Sequence, residues 1–362
     1  MESVRCKRIF LARKTIRCGR HFTKEQAIEE VAHISRIRHS HIVQVIGTYT
    51  IGNELSLLLF PVAEHNLETF LTELTGYRTE HNHIRSEYLL SVCGFFGCLS
   101  NAVGYIHGTI TKHMDIKPQN ILVRYVKGKR ASHSFCWKVY LADFGIARSY
   151  SSVAASETEG PTKFTRKYAA PEVVDWDKRG LPADIFSLGC VFVEITAAVM
   201  QAAVMQAAVI ERAPVAELET RLAANKNGDS SYQANIPAVQ NYLSVFKIGS
   251  FLRYYLQFRL KFAHEVISRM LEPRPENRPT ARVLTAYFAN KSSCCSANTT
   301  PDPLEDAPPM LEEDFENLMG DFNLDANNWP KRPPSPENLN PEKRSSFRKS
   351  CTDLSSASDL MY

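Results

Sequence analysis

His113-Met114-Asp115-Ile116-Lys117-Pro118-Gln119-Asn120, then Asp143-Phe144-Gly145, then Ala170-Pro171-Glu172, are the stretches that decide how this chain is read. Each piece alone is weak, because Asp-Phe-Gly or Ala-Pro-Glu arises by chance in unrelated proteins. Their order is informative, as is the interval of four residues between Asp115 and Asn120. Outward from this centre, Ile121–Tyr125 and Trp137–Leu141 read as strand-like segments flanking the stretch. The polar, basic residues 126–136 between them read as a long hairpin loop. Beyond Pro171 the pattern is helical.

Toward the N-terminus, Arg8–Ile16 reads as a strand, with Ile9, Leu11 and Ile16 set among basic residues. A helix is expected from Thr23 to Arg38, with Thr23 and Gln26 as a capping box. Its Glu30, Ile34 and Ile37 share one face, so Glu30 should find a partner on the inner side. Two more strands are expected, His41–Thr50 and Leu55–Pro61, joined by the turn at Gly52-Asn53. From Leu67 onward helices dominate, including a long one over 88–107. This pattern makes an α+β protein with a β-rich first part and a mainly helical second part.

Residues 185–210 are apolar enough to suggest a membrane span. Ser187, Glu194, Thr196, Gln201 and Gln206 interrupt them and would be costly in lipid, so a buried central helix is the expectation and no membrane association is assigned. Residues 198–209 repeat Ala-Val-Met-Gln-Ala in tandem, all helix-compatible and too short a period for a solenoid. From Lys291 the composition turns to Pro, Ser, Asn and acid, the signature of a disordered tail. Residues 291–362 carry a net charge of −6, against +10 for the rest of the chain and +4 overall. Within the tail, the apolar residues among the acids of 310–322 could form an amphipathic helix for a tail-binding protein, although a solvated acidic stretch reads as well.

Nine cysteines are scattered without a Cys-x-x-Cys pair, which argues against a zinc ribbon and for a reducing, cytosolic or nuclear compartment. The histidines at 33, 39, 41, 81 and 83 lack a carboxylate or cysteine at metal-ligand spacing. No interleaving of aromatic and basic residues points to nucleic acid.

The ordered motifs resemble the eukaryotic protein kinase family, of the Ser/Thr type, from about Val4 to Asn290. The resemblance implies two lobes: a truncated small lobe and hinge over 1–62, a large lobe over 63–290, and the tail over 291–362. It implies ATP and Mg2+ as cofactors and a protein Ser/Thr hydroxyl as acceptor. By the same resemblance Asp115 is the catalytic base and Lys117 neutralises the transferring phosphate. Asn120 and Asp143 hold Mg2+, as oxygen ligands for a hard cation. Lys14, in Leu11-Ala12-Arg13-Lys14, is similar to the lysine that reaches the nucleotide phosphates, and Glu30 to its ion-pair partner. Ala12 and Leu122 would sandwich the adenine, with Leu59 behind it and Val62 in the hinge Phe60-Pro61-Val62. Glu172 and Arg278 match a buried ion pair of the family, Asp184 a brace of the catalytic loop, and Thr165 a contact to it. His113 is expected to support the loop.

Two departures from the family pattern stand out. The thirteen residues before Lys14 contain no glycine, so the glycine-rich lid over the phosphates is missing from this sequence and about three full strands are expected in the small lobe. The sequence is truncated upstream, or the protein works without the lid. A pseudokinase or scaffold acting through the large lobe and tail is therefore the alternative to an active enzyme. Second, Met114 replaces an arginine that pairs with a phosphate on the activation segment in many kinases. Methionine has no charge to offer, so phosphorylation within Ser149–Thr165 should not activate by that route. A several-fold rise in rate on phosphorylation of Thr162, abolished by alanine there, would count against this.

Overall fold

A computed structural model describes residues 2–6, 9–19, 28, 31–32, 34–76, 82–126, 137–143, 148–149, 164–175, 177, 179–206, 213–225, 227–245 and 263–288. All of them belong to one compact unit, residues 1–312. The 126–136 loop beyond Val126, the tail, and half of the 23–38 segment (Thr23, Gln26 and Glu30 included) lie outside the described residues.

The small lobe is an antiparallel sheet in the order β1-β2-β4-β3. Its strands are β1 (Glu2–Cys6), β2 (Ile9–Arg17), β3 (Gln44–Ile51) and β4 (Glu54–Phe60). Four strands are present where three were expected. Glu2–Cys6 contains one large aliphatic residue, Val4, so its sequence does not announce a strand. Pairing supplies what the pattern lacks: Val4 faces Leu11 across the ladder and packs on Leu11, Leu58 and Phe60. The third strand begins at Gln44 rather than His41, because the preceding residues pair with the other lobe instead. β4 ends at Phe60, since Pro61 has no N–H for a ladder. Gly52 takes a left-handed φ of 56° in the β3–β4 turn, a conformation glycine adopts without penalty.

Side chains alternate across a strand, so Ala12, Lys14 and Ile16, opposite Leu59, Leu57 and Leu55, share one face of this sheet. Leu55 and Leu57 on that face pack with Val45, Val31 and Ile34. Residues 28, 31, 32 and 34 are helical, so the expected helix covers the lysine-bearing face.

The lobes join along His39–Val43. Val43 N–H donates to Leu141 O at 2.9 Å and Leu141 N–H to His41 O at 2.8 Å. The buried His41 ring nitrogen Nδ1 bonds Val139 O at 2.7 Å. This run becomes a short parallel bridge to β8 (Trp137–Leu141). β8 pairs with β7 (Ile121–Tyr125), which pairs with β5 (His65–Asn66). β6 (Thr111–Lys112) pairs with β9 (Arg148–Ser149).

The large lobe is helical. Asn66 caps the helix Leu67–Gly76, its Oδ1 accepting from Thr69 N–H at 2.9 Å. The long helix spans Asn82–Gly108. The central helix spans Pro182–Gln206. By length and composition alone it could cross a bilayer, but Phe186, Leu188, Val191, Phe192 and Val193 are wholly buried in the lobe core. Phe192 packs on Phe96 and Phe288. Two of its polar interruptions bond to backbone carbonyls: Ser187 Oγ donates to Tyr168 O at 2.8 Å and Thr196 Oγ1 to Phe192 O at 2.7 Å. Gly189 lets the helix Ala263–Met270 approach closely, because a Cβ there would lie 2.9 Å from Met270 Cβ. Arg278 clamps Glu172 through both nitrogens, at 2.7 and 2.8 Å, with neither side chain exposed beyond 7%. A buried fork of this kind leaves an uncompensated charge when either partner is removed.

Candidate active site

The stretch from His113 to Asn120 is held from below by the first turn of the central helix. Asp184 is buried, and its Oδ2 accepts from His113 N–H at 2.8 Å while Oδ1 accepts from Met114 N–H at 2.8 Å. His107 Nε2 reaches Oδ2 at 3.0 Å. Met114 sits at a φ of 66°, a left-handed conformation that costs a non-glycine residue about 1–3 kcal/mol. The two amide bonds to one buried carboxylate offset that strain. Burial pushes the Asp184 carboxyl up, but the hydrogen bond from His107 and the one from the His113 amide outweigh it and hold the carboxyl below its usual range. The loop therefore rests on an anion.

His113 is a positioning residue. Its Nε2 bonds Ala142 O at 2.9 Å, and its Nδ1 accepts from Asp115 N–H at 3.3 Å. Those contacts require Nε2–H as donor and bare Nδ1 as acceptor, which is the neutral ring. Burial lowers its pKa below 6.5 against the pull of Asp184, Asp115 and Asp143.

Asp115 is surrounded by donors. Thr165 Oγ1 donates to its Oδ1 at 2.8 Å. Lys117 Nζ and Asn120 Nδ2 donate to Oδ2 at 2.7 and 2.9 Å. Lys117 Nζ also reaches Thr165 Oγ1 at 2.7 Å, so the expected contact of Thr165 with this loop is present. Asn120 Nδ2 binds the Asp115 carbonyl as well, at 2.8 Å. The amide oxygen of Asn120 is thus the atom left to offer outward. The Asn120 carbonyl accepts from Ala142 N–H at 2.8 Å, which brings Asp143 beside the same loop. Asp143 has a φ of 62°, and its Oδ1 is paired with Lys14 Nζ from β2. The described partner of Lys14 is therefore Asp143, while the expected partner Glu30 lies outside the described residues, as do Phe144 and Gly145.

Asp115, Lys117, Asn120, Asp143 and Lys14 are brought together where the lobes meet. The apolar residues lie next to them. Ala12 faces Leu59 across the β2–β4 ladder, and Leu59 and Leu122 pack on one small cluster, Val43, Tyr140 and Ala142. Val62 is partly buried just past the end of β4. Sequence reasoning did not find His107 as a support of Asp184, nor the cluster around Glu194 described below. Neither carries a local motif, because the partners are distant in the chain.

Oxygen donors of this kind suit Mg2+, which takes one or two protein ligands and completes its shell with phosphates and water. An amide oxygen and a carboxylate at one lobe junction, with a lysine beside them, fit a magnesium nucleotide. Among the described residues no cluster of three His, Cys, Asp or Glu side chains could bind a metal without such help.

A family profile described as "Protein kinase domain" matches residues 4–288. The chain belongs to the protein kinase domain family. It is 30% identical over 171 residues to Cyclin-dependent kinase E-1 of Arabidopsis thaliana, covering 47% of this chain and 34% of that one. It is 26% identical over 263 residues to Mitogen-activated protein kinase kinase kinase YODA of the same plant, covering 72% and 23%. It is 31% identical over 176 residues to human Serine/threonine-protein kinase DCLK2, covering 48% and 20%. The matches thus span from a fifth to a third of the length of these relatives.

The neutral, buried His113 gives a pH test. Well above pH 6.5 neither folded nor unfolded His113 is charged, and it contributes no pH dependence. Below that value the unfolded chain takes up a proton that the folded chain resists, so stability falls as pH falls. Relative to His113→Gln, the wild type should lose up to about 1.4 kcal/mol per pH unit between pH 6.5 and 5 in urea unfolding. Parallel stability profiles for the two proteins would contradict this.

Proposed function

We propose that this protein is a Ser/Thr protein kinase, transferring the γ-phosphoryl group of ATP to serine or threonine hydroxyls of protein substrates. The observation that carries the reading is the Asp115 carboxylate, held by Lys117, Asn120 and Thr165 and tied through Asn120 to the segment bearing Asp143. Phosphoryl transfer asks a protein mainly for positioning and charge neutralisation, and this arrangement offers both. The printed names of the relatives, which include a serine/threonine-protein kinase, support the same reading.

In this reading Asp115 orients the acceptor hydroxyl and accepts its proton. Thr165 and Asn120 fix the carboxylate, and Lys117 stands beside it to meet the negative charge of the transferring group. Asn120 Oδ1 and the Asp143 carboxylate are the groups that would hold Mg2+, which supplies charge neutralisation of the phosphates when bound. Lys14 would exchange part of its contact with Asp143 for the α- and β-phosphates. Ala12, Leu59, Leu122 and Val62 form the apolar bed proposed for adenine. We also propose a cytosolic or nuclear location, on the cysteine pattern, and a partner for the acidic tail.

The test is a paired assay of phosphate transfer from ATP and Mg2+ to an acidic and to a basic protein acceptor. The wild type should exceed Asp115→Ala by about 100-fold or more, the usual range for losing a positioned base. Equal background from both proteins would sink the enzymatic reading and leave the scaffold.

A further inference from the structure

Three donors converge on one carboxylate oxygen of the central helix. Glu194 of the central helix accepts at Oε1 from Lys167 Nζ at 2.8 Å, Tyr168 OH at 3.0 Å and Tyr232 OH at 3.2 Å. The Lys167 ammonium lies 5.2 Å from the centroid of the Tyr168 ring and 6.0 Å from that of Tyr232. A carboxylate flanked by two aromatic faces is a receptor for a cation. Here the chain fills its own receptor. The Lys167 side chain is 45% exposed and that of Glu194 19%, so the lysine covers the acid from the solvent side. Burial and the Glu194 charge raise both phenol pKa values, so both tyrosines stay neutral donors.

The place of this cluster gives it meaning. Lys167 follows Thr165 by two residues, and Thr165 touches Asp115. Two residues span at most about 7 Å, so Lys167 branches from the backbone within that reach of the residue that touches Asp115, on the segment beside which an acceptor peptide would run. The neighbouring cation is also engaged. Arg166 Nη2 bonds Asp229 Oδ2 at 2.7 Å. Hydrogen bonds from Ser231 and Arg166 hold the Asp229 carboxyl down at about 2. A basic side chain on a substrate would have to displace a lysine tethered to its site, whose effective concentration is high. Discrimination by an occupied or repulsive site is an established route to specificity.

We propose that Lys167 is a specificity-determining residue: it occupies the cation receptor formed by Glu194, Tyr168 and Tyr232, and thereby excludes Arg and Lys side chains next to the acceptor in favour of neutral or acidic ones. The word acceptor rests on the kinase reading above, but the receptor itself does not. A binding test therefore separates the two. Two labelled peptides of equal length carry a central serine flanked by arginines or by glutamines. Their affinities for the full chain are measured by fluorescence anisotropy without ATP, so the result stands even if no phosphate transfer is found.

Wild type and Lys167→Arg should each favour the arginine peptide by less than about fivefold, whereas Lys167→Met should favour it by more than about fivefold, the upper end for a solvent-exposed cation–π contact. Adding Glu194→Gln to Lys167→Met should return the ratio below that threshold. Lys167→Gln serves the same purpose if the methionine variant does not fold. A Lys167→Met ratio below fivefold, or no binding by that variant up to millimolar peptide, overturns the proposal. So does a wild-type ratio above fivefold, or an advantage that persists in the double variant. A lysine that only pinned this segment would weaken both peptides alike.

Discussion

The buried carboxylate of Asp184 is the fixed point of this molecule. It holds the amides of His113 and Met114 and receives His107, so the first turn of the central helix dictates where Asp115 stands. That helix is in turn deeply buried in the core of the large lobe. The chemistry at the surface of the cleft thus inherits its geometry from the core. The left-handed backbone of Met114 persists because the surroundings over-determine it.

A second chain of contacts runs between the lobes. Asp115 grips Asn120, the Asn120 carbonyl binds Ala142, and Asp143 next to it pairs with Lys14 of the small-lobe sheet. His41 and Val43 add bonds to β8. Movement of one lobe against the other therefore acts directly on the Lys14–Asp143 pair. A nucleotide bound there would compete for that lysine, which couples binding to lobe geometry.

Much of this was legible in the sequence, for local reasons. Asp115, Lys117 and Asn120 lie within six residues, so their spacing alone constrains them to one loop. The strands Ile121–Tyr125 and Trp137–Leu141 have the bounds expected. The polar residues of the central helix also announced a buried helix rather than a lipid-facing one. What was not legible is non-local or weakly patterned. Glu2–Cys6 becomes a strand through its pairing with β2, not through its composition. Lys167, Glu194 and Tyr232 meet across 27 and 38 residues, and no motif links them. The described partner of Lys14 is 129 residues away, whereas sequence spacing suggested only Glu30, on the next helix.

We propose that Asn120 and Asp143 together form a metal site that a nucleotide completes. Mn2+, a paramagnetic stand-in for Mg2+, tests it most directly. Free Mn2+ is followed by electron paramagnetic resonance as ATP and Mn2+ are titrated into the full chain and into Asp143→Ala. The account predicts that the wild type removes free Mn2+ beyond the ATP-only control and that the variant does not. Equal depletion by both proteins, or none by either, would contradict it.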